Sequence, residues 1–286
     1  MSSMPRAKRP RRVGRAGLYA LLVVGCIPTI LPLVWLVRSA LMSDGQIFTS
    51  PPEWIPDPWM FRNFPDLFAA QPFATYFLNS AVIVVLNIVG TLLSCSLAAF
   101  SFARTKWRGR DLVFVLTLTT LMLPYAVTLI PTFLMWTGLG GIDTFLPLTV
   151  PSFFGAGASA GFYIFLLRQF FLGIPYELDE AAYVDGASPW RVYWQIVLPL
   201  AKPALSVVAV FAFVNTWNDF LGPLIYLNSQ EKFTIAVGLA GFSGAYTGQW
   251  SLLMAGATLA LLPVLLVFAF GQRYFIQGIA FTGGKS

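Results

Sequence analysis

Six long apolar runs separated by short polar links set the pattern of this chain: residues 16–37, 77–102, 112–136, 144–167, 203–227 and 251–271. A helix needs about 20 mainly apolar residues to cross the hydrocarbon core of a bilayer, so the pattern predicts six membrane-spanning helices. Between the fourth and fifth runs the character changes. Residues 176–205 read YELDEAAYVDGASPWRVYWQIVLPLAKPAL, rich in charge and aromatics and punctuated like helix. Pro175 can open a first turn, where Glu177, Asp179 and Glu180 favour the positive helix end, and Gly186 supplies a left-handed stop. A second short helix restarts from Ser188 as N-cap with Pro189 behind it. Leu178, Ala181 and Ala182 fall at i, i+3 and i+4, a narrow ridge of small side chains that another protein can approach closely.

Composition agrees with a bilayer as the main solvent: 57% of residues are hydrophobic, 10% are charged, and the mean hydropathy is +0.72. A soluble domain carries about a quarter charged residues. Charge then orients the spans. With six spans, every Lys and Arg falls on one side of the membrane except Arg38, Arg62 and Lys232, so both termini and the 176–205 insert are expected in the cytoplasm. The net charge of +6 is topology, and no nucleic-acid partner is needed to explain it. The basic arm before the first run invites a signal-peptide reading, and Arg11-Arg12 a twin-arginine one. The run is too long for an ordinary signal core and five more follow, so it is read as a retained span behind an orientation cluster. The expected division is a basic cytoplasmic arm, 1–15, and a six-span domain, 16–286, whose cytoplasmic insert occupies 168–202.

Two other segments are sizeable, and both are expected outside. Residues 38–76 mix Pro51, Pro52, Pro56 and Pro58 with Trp54 and Trp59, a turn-rich sequence suited to the membrane surface or an external partner. Residues 228–250 carry Gly238, Gly241, Gly244 and Gly248, a backbone that can come close to a partner or solute.

Enzyme-like matches fail on context. Gly157-Ala158-Ser159-Ala160-Gly161 fits a nucleophile-elbow pattern, but it lies in an apolar run of a chain with no His, and small-residue helix packing is the better reading. Gly283-Gly284-Lys285-Ser286 resembles the end of a phosphate loop, yet the Gly required five residues before Gly284 is Ile279. Glu177, Asp179, Glu180 and Asp185 are read as solvated or partner-facing charge rather than an acid/base pair. Cys26 and Cys95 lie inside expected spans, and no metal set can be built. Asn215, Asn218 and Asp219 stand apart because they fall in the fifth run. Polar groups there are costly and serve either a translocation path or gate, or hydrogen bonding between helices near the interface. Asn79 and Asn87 in the second run are read as packing glue.

The insert resembles the EAA loop of ABC-importer permeases. The pattern E-A-A, three residues, G, nine residues and I-x-L-P is matched by Glu180, Ala181, Ala182, Gly186, Ile196, Leu198 and Pro199. Asn79-Ser80, Phe102-Ala103-Arg104, the FLLRQFF run at 165–171, Trp217-Asn218-Asp219-Phe220 and the QRYF run at 272–275 look like the carbohydrate-import, MalG-like branch. The resemblance runs from about residue 17 onward; the tail, Thr282 to Ser286, departs from the Gly-rich ending of many relatives.

This resemblance implies an all-α, polytopic transmembrane helical bundle of the MetI/MalG-like fold, forming half of a pore in a bacterial cytoplasmic membrane. It implies as partners a second related permease subunit, two copies of an ABC ATPase subunit and an extracytoplasmic solute-binding protein. No cofactor would be bound by this chain, with ATP and Mg held in the ATPase. Glu180, Ala181, Ala182, Asp185, Gly186, Ile196, Leu198 and Pro199 would couple to that ATPase, and Gly241, Phe242, Gly244 and Tyr246 would reach the binding protein. The expected solute is a carbohydrate or related compound; glycerophospho-compounds, peptides and phosphate are the alternatives within the class. Outside it stand an ion-coupled secondary carrier working through Asp219 and, more remotely, an intramembrane enzyme.

Overall fold

A computed structural model describes the backbone of residues 12–157, 159–244 and 248–283, and the side chains of 17–157, 159–244 and 248–272. Most of the basic arm, Tyr246, Lys285 and Ser286 lie outside the described residues. The described elements are helices, with no strand among them. In chain order they are α1 (Arg12–Ala40), α2 (Asp44–Ile47), α3 (Asn63–Ala70), α4 (Phe73–Arg104), α5 (Arg110–Thr119), α6 (Tyr125–Gly138), α7 (Leu146–Phe153), α8 (Ala160–Gly173) and α9 (Glu177–Val184). There follow α10 (Pro189–Val192), a π-helical turn Tyr193–Val197 that leads into α11 (Leu198–Leu200), then α12 (Lys202–Trp217), α13 (Leu221–Tyr226), α14 (Ile235–Ala240) and α15 (Trp250–Gly283).

The six-span expectation meets three unbroken helices long and apolar enough to cross, Gly17–Ala40, Phe73–Arg104 and Trp250–Gln272, among the described residues. The other apolar runs are interrupted. The 112–136 run is two helical pieces bent by 99°, because Leu123 before Pro124 is extended and the helix must restart. The 144–167 run stops at Phe153 and resumes at Ala160, with Gly155 and Gly157 at φ +62° and +119° in the gap. Gly157 therefore breaks a helix instead of packing one. The 203–227 run ends its first helix at Trp217 and restarts at Leu221.

The chain divides into two compact units, residues 1–67 with 242–258, and 68–241 with 259–286. In the second, α4 is the hub, packing on α7, α8 and α12. Its core gathers Cys95, Ala99 and Phe100 of α4, Tyr163, Leu167 and Phe171 of α8, Val192 and Tyr193, and Ala204 and Val208 of α12. In lipid such helices meet by close packing, with no hydrophobic drive between them, so small residues mark the contacts. A methyl on Gly90 would strike Ser152 and Phe153, and one on Gly161 would come 3.0 Å from the Thr117 carbonyl.

In the first unit, residues 41–63 are tied to the last turns of α1. Asn63 Nδ2 donates to the Ala40 and Met42 carbonyls (2.9 and 2.8 Å), the Met60 amide donates to Leu41 O (2.9 Å), and Arg38 donates to Glu53 O. Carbonyls that the end of a helix leaves open are thereby satisfied.

Candidate functional site

The 176–205 insert folds into two short helices whose boundaries its sequence dictates. α9 closes in a Schellman motif: the Ala187 amide donates to Ala182 O (2.8 Å) and the Gly186 amide to Tyr183 O (3.0 Å). Gly186 holds φ +79°, the left-handed conformation the motif demands. α10 starts from Ser188, whose hydroxyl accepts from the Arg191 amide, with Pro189 at the first helical position. Ala182 and Ala187 turn toward the core, while Glu180, Ala181, Asp185, Gly186 and Pro199 face outward. Apolar side chains share that outer surface, with Val184 87% and Trp190 60% exposed. Ile196 and Leu198 pack against the core instead.

α9 and the π-helical turn that continues α10 are both fastened to α4. Arg104, its last residue, donates from Nη1 to Asp179 Oδ2 (3.1 Å) and from Nη2 to the Phe171 and Ile174 carbonyls (2.5 and 2.7 Å). The side chains are 3% and 0% exposed. Asp179 is thus a buried partner of α4, not the solvated charge its place among Glu177 and Glu180 suggests. Burial pushes its carboxyl above the usual carboxylate range, and the guanidinium pulls it back only in part. Two turns earlier on α4, the Ser96 hydroxyl meets the buried Tyr193 hydroxyl (2.7 Å), and the Tyr193 ring packs edge-on against Phe100. Tyr193 opens the π-helical turn, which places its ring on this contact. Arg168 of α8 adds an N–H to Phe102 O (3.4 Å) and sits over the Phe114 ring.

The other end of α4 grips residues 228–238. Asn79 Nδ2 donates to the Glu231 and Phe233 carbonyls (2.8 and 3.0 Å), and the Ser80 hydroxyl accepts from the Ile235 amide (2.9 Å). A methyl on Gly238 would collide with the Tyr76 ring, so this glycine serves close packing and not loop freedom. Asp143, at φ +58°, accepts from the Asn228 and Ser229 amides (3.0 and 2.9 Å), the Ser229 hydroxyl (2.5 Å) and Lys232 Nζ (2.8 Å). Lys232 above all, then the Ser229 and Asn228 donors, holds its carboxyl well below the usual range.

Between these ends lies a cavity of about 730 Å³. Asn87, Thr91, Thr128, Thr132, Tyr163 and Asn215 are among its lining, with Asp219 the lone Asp or Glu and no Lys or Arg in the described wall. Asn215 Nδ2 donates to Tyr163 OH (2.7 Å) and Ser159 Oγ (3.2 Å). Asp219 accepts from the Gly222 amide (3.1 Å), capping the restart at α13. Asn218 does not line the cavity; its amide folds back onto Val214 O of its own helix (2.8 Å). The three residues sit where α12 ends, at a break, and a broken helix is tolerated at membrane depth where it borders a cavity. Asn87 donates to Leu148 O (2.9 Å), a packing contact. No group of three His, Cys, Asp or Glu poised for a metal occurs among the described residues.

Of the residues expected to reach a binding protein, Gly241 and Gly244 are exposed, but the Phe242 ring is buried and not presented. The pairing of Arg104 with Asp179, that of Tyr193 with Ser96, and the role of Asp143 are not anticipated by the residue pattern. The usable signal was an Arg closing an apolar run and a Tyr and a Ser placed among apolar neighbours.

Residues 90–281 match the family model described as binding-protein-dependent transport system inner membrane component. Among similar proteins, the diacetylchitobiose uptake system permease protein NgcG of Streptomyces coelicolor is 32% identical over 259 residues, 89% of this chain and 84% of that one. The sn-glycerol-3-phosphate transport system permease protein UgpE of Yersinia pestis bv. Antiqua is 34% identical over 270 residues, 91% and 94% of the two chains. A solved bacterial ABC transporter involved in the import of the acidic polysaccharide alginate has a chain of the same fold. It matches with a TM-score of 0.78 at 22% identity, over 95% of this chain and 100% of that one.

Proposed function

The chain belongs to the family of binding-protein-dependent transport system inner membrane components, and we propose that it is one permease half of an ATP-driven importer of carbohydrate. The short helices α9 and α10 are its grip for a cytoplasmic ATPase, and the cavity beside α4 is its share of the path. The observation that carries this reading is the fastening of α9, and of the π-helical turn that continues α10, to α4, with Ala181, Val184 and Trp190 left outward. Work done on that surface is passed to α4 through buried contacts, and α4 borders the cavity. Driving a two-state pore from mostly one side to mostly the other takes a differential of about 5.5 kcal/mol. A packed helix pair can transmit that, whereas a loose loop would dissipate it.

The accompanying subunits follow from the same reading: a second permease, two ATPase copies holding ATP and Mg, and an external solute-binding protein. Both termini and α9–α10 lie in the cytoplasm by the bias of Lys and Arg. Relatives of similar identity are named for a disaccharide of amino sugar and for a phosphorylated polyol. The described wall favours the first kind, a neutral, hydroxyl-rich solute, because it offers hydroxyls and amides, one carboxylate and no cation to meet a phosphate. A carrier working through Asp219 is less well supported, since that carboxylate caps α13.

Cysteine crosslinking tests the assignment. With Cys26→Ser removing the exposed thiol, Ala181→Cys in the purified complex is expected to join the ATPase subunit in a nucleotide-dependent manner. Absence of any adduct from Ala181→Cys and Val184→Cys, in complexes that still hydrolyse ATP, would overturn it.

A further inference from the structure

Residues 48–61 of the first unit expose a set of large apolar side chains beside the ends of two apolar spans. Phe48 and Phe61 are each 65% exposed, Trp54 is 56% and Ile55 is 72% exposed. Their depth is fixed twice. At α1, the Trp54 ring packs edge-on against Trp35 (5.7 Å), five residues before the helix ends at Ala40, or about 7.5 Å along the axis. Arg38 of the same turn donates to Glu53 O and lies 4.2 Å from the Trp35 ring centre. At α15, the Phe48 ring packs edge-on against Trp250 (5.6 Å), the first residue of that helix, and the Ser251 amide donates to Asp44 Oδ1 (2.6 Å). One short segment thereby touches the terminal turn of α1 and the opening turn of α15, both apolar enough to cross a membrane.

We propose that residues 48–61 form an aromatic collar seated in the lipid headgroup layer, and that lipid, not a second protein, covers it. The level of the span ends is the level of the headgroups, where Trp side chains gather because the ring is apolar and its N–H is polar. Trp59 stacks on Phe61 (5.9 Å), while Glu53, Asp57 and Arg62 are interleaved with these rings. Arg62, its side chain 81% exposed and paired with Asp66, marks the water side. The backbone of this segment is held at that depth at two points: the Glu53 carbonyl accepts from Arg38 of α1, and the Met60 amide donates to Leu41 O just past its end.

Spin labels at Ile55→Cys, Phe61→Cys and, for the water side, Arg62→Cys test the collar in a Cys26→Ser background. Buried Cys95 is left in place, and the parent without an added cysteine reports any label it takes. Neither Ile55 nor Phe61 is buried within the chain, so the substitutions remove no core contact. The complex in nanodiscs of phosphatidylcholine and phosphatidylglycerol is measured by power saturation with oxygen, which partitions into lipid, and with a water-soluble nickel chelate. Relaxation by oxygen several-fold above that by nickel is expected at 55 and 61, with the reverse at 62. Nickel dominating at 55 and 61 would place them in water, and exclusion of both probes would mean protein covers them; either result overturns the proposal.

Discussion

The two ends of α4 are held by opposite chemistry. At Arg104 the anchor is dry: an ion pair 3% and 0% exposed, two carbonyls on the same guanidinium, and the buried Tyr193–Ser96 contact two turns away. At Phe73 the anchor is wetter. Amide and hydroxyl groups of Asn79 and Ser80 hold residues 231–235, and the nearby ion pair of Asp143 with Lys232 is 26% and 39% exposed. The buried pair is poor evidence for stability, because desolvation cancels much of its attraction, and Asp179 Oδ1 and Arg104 Nε are buried without a hydrogen-bond partner. What it supplies is a point of attachment: the buried pair joins α9 to the last residue of α4. At the wetter end the more exposed bonds, those of Asn79 to Glu231 O and of Asp143 with Lys232, can be replaced by water at little cost, while the Ser80–Ile235 bond is buried.

The two ends of α4 should differ most on substitution of Arg104. Arg104→Ala leaves Asp179 buried and alone and should cost about 3–5 kcal/mol, read as loss of folded protein on heating in detergent. The double variant Arg104→Met with Asp179→Leu should recover most of that loss, because two apolar side chains need no partners. If the double variant is as unstable as the single one, the pair is more than a positional device.

At the wetter end, Asn79→Ala removes two hydrogen bonds and should cost only about 1–2 kcal/mol. The same assay compares the two ends directly, and an equal loss at both would erase the distinction drawn between them.

The smallest effect concerns pH. The Asp143 carboxyl titrates below its ordinary value, so the stabilisation it gives residues 228–232 is fully present above that value. It drains away as pH falls through the lowered folded value. Pepsin cleavage within 227–233 should rise as pH falls below about 4, and Asp143→Asn should cleave freely with no such rise. A wild-type chain whose cleavage matches Asp143→Asn at every acid pH would contradict the clamp.

The legible parts of the molecule were local. Gly186, Ser188 and Pro189 announced the stop and restart of α9 and α10 because caps are written within four residues of the turn they close. The long helices α1, α4 and α15 followed from apolar length. The breaks after Met122, Phe153 and Trp217 were hidden because an apolar run has the same composition whether the helix continues or turns back. Pro124, Gly155 and Gly157 carried the signal, and small-residue packing was an equally good reading of the glycines. Asp179 was illegible for another reason. Three acidic residues at a helix start read as one class until Arg104, 75 residues away, selects one of them for burial.

In the proposed importer α9 and α10, held on α4, carry the stroke of the ATPase to the cavity. The most direct test of this coupling is the ratio of solute imported to ATP hydrolysed by the complete complex in proteoliposomes, compared between the parent chain and Gly186→Val. A β-branched residue cannot hold φ +79° without strain, so the α9 stop must deform. The variant complex is expected to assemble and hydrolyse ATP but to import several-fold less solute per ATP. An unchanged ratio in an assembled complex would contradict the coupling.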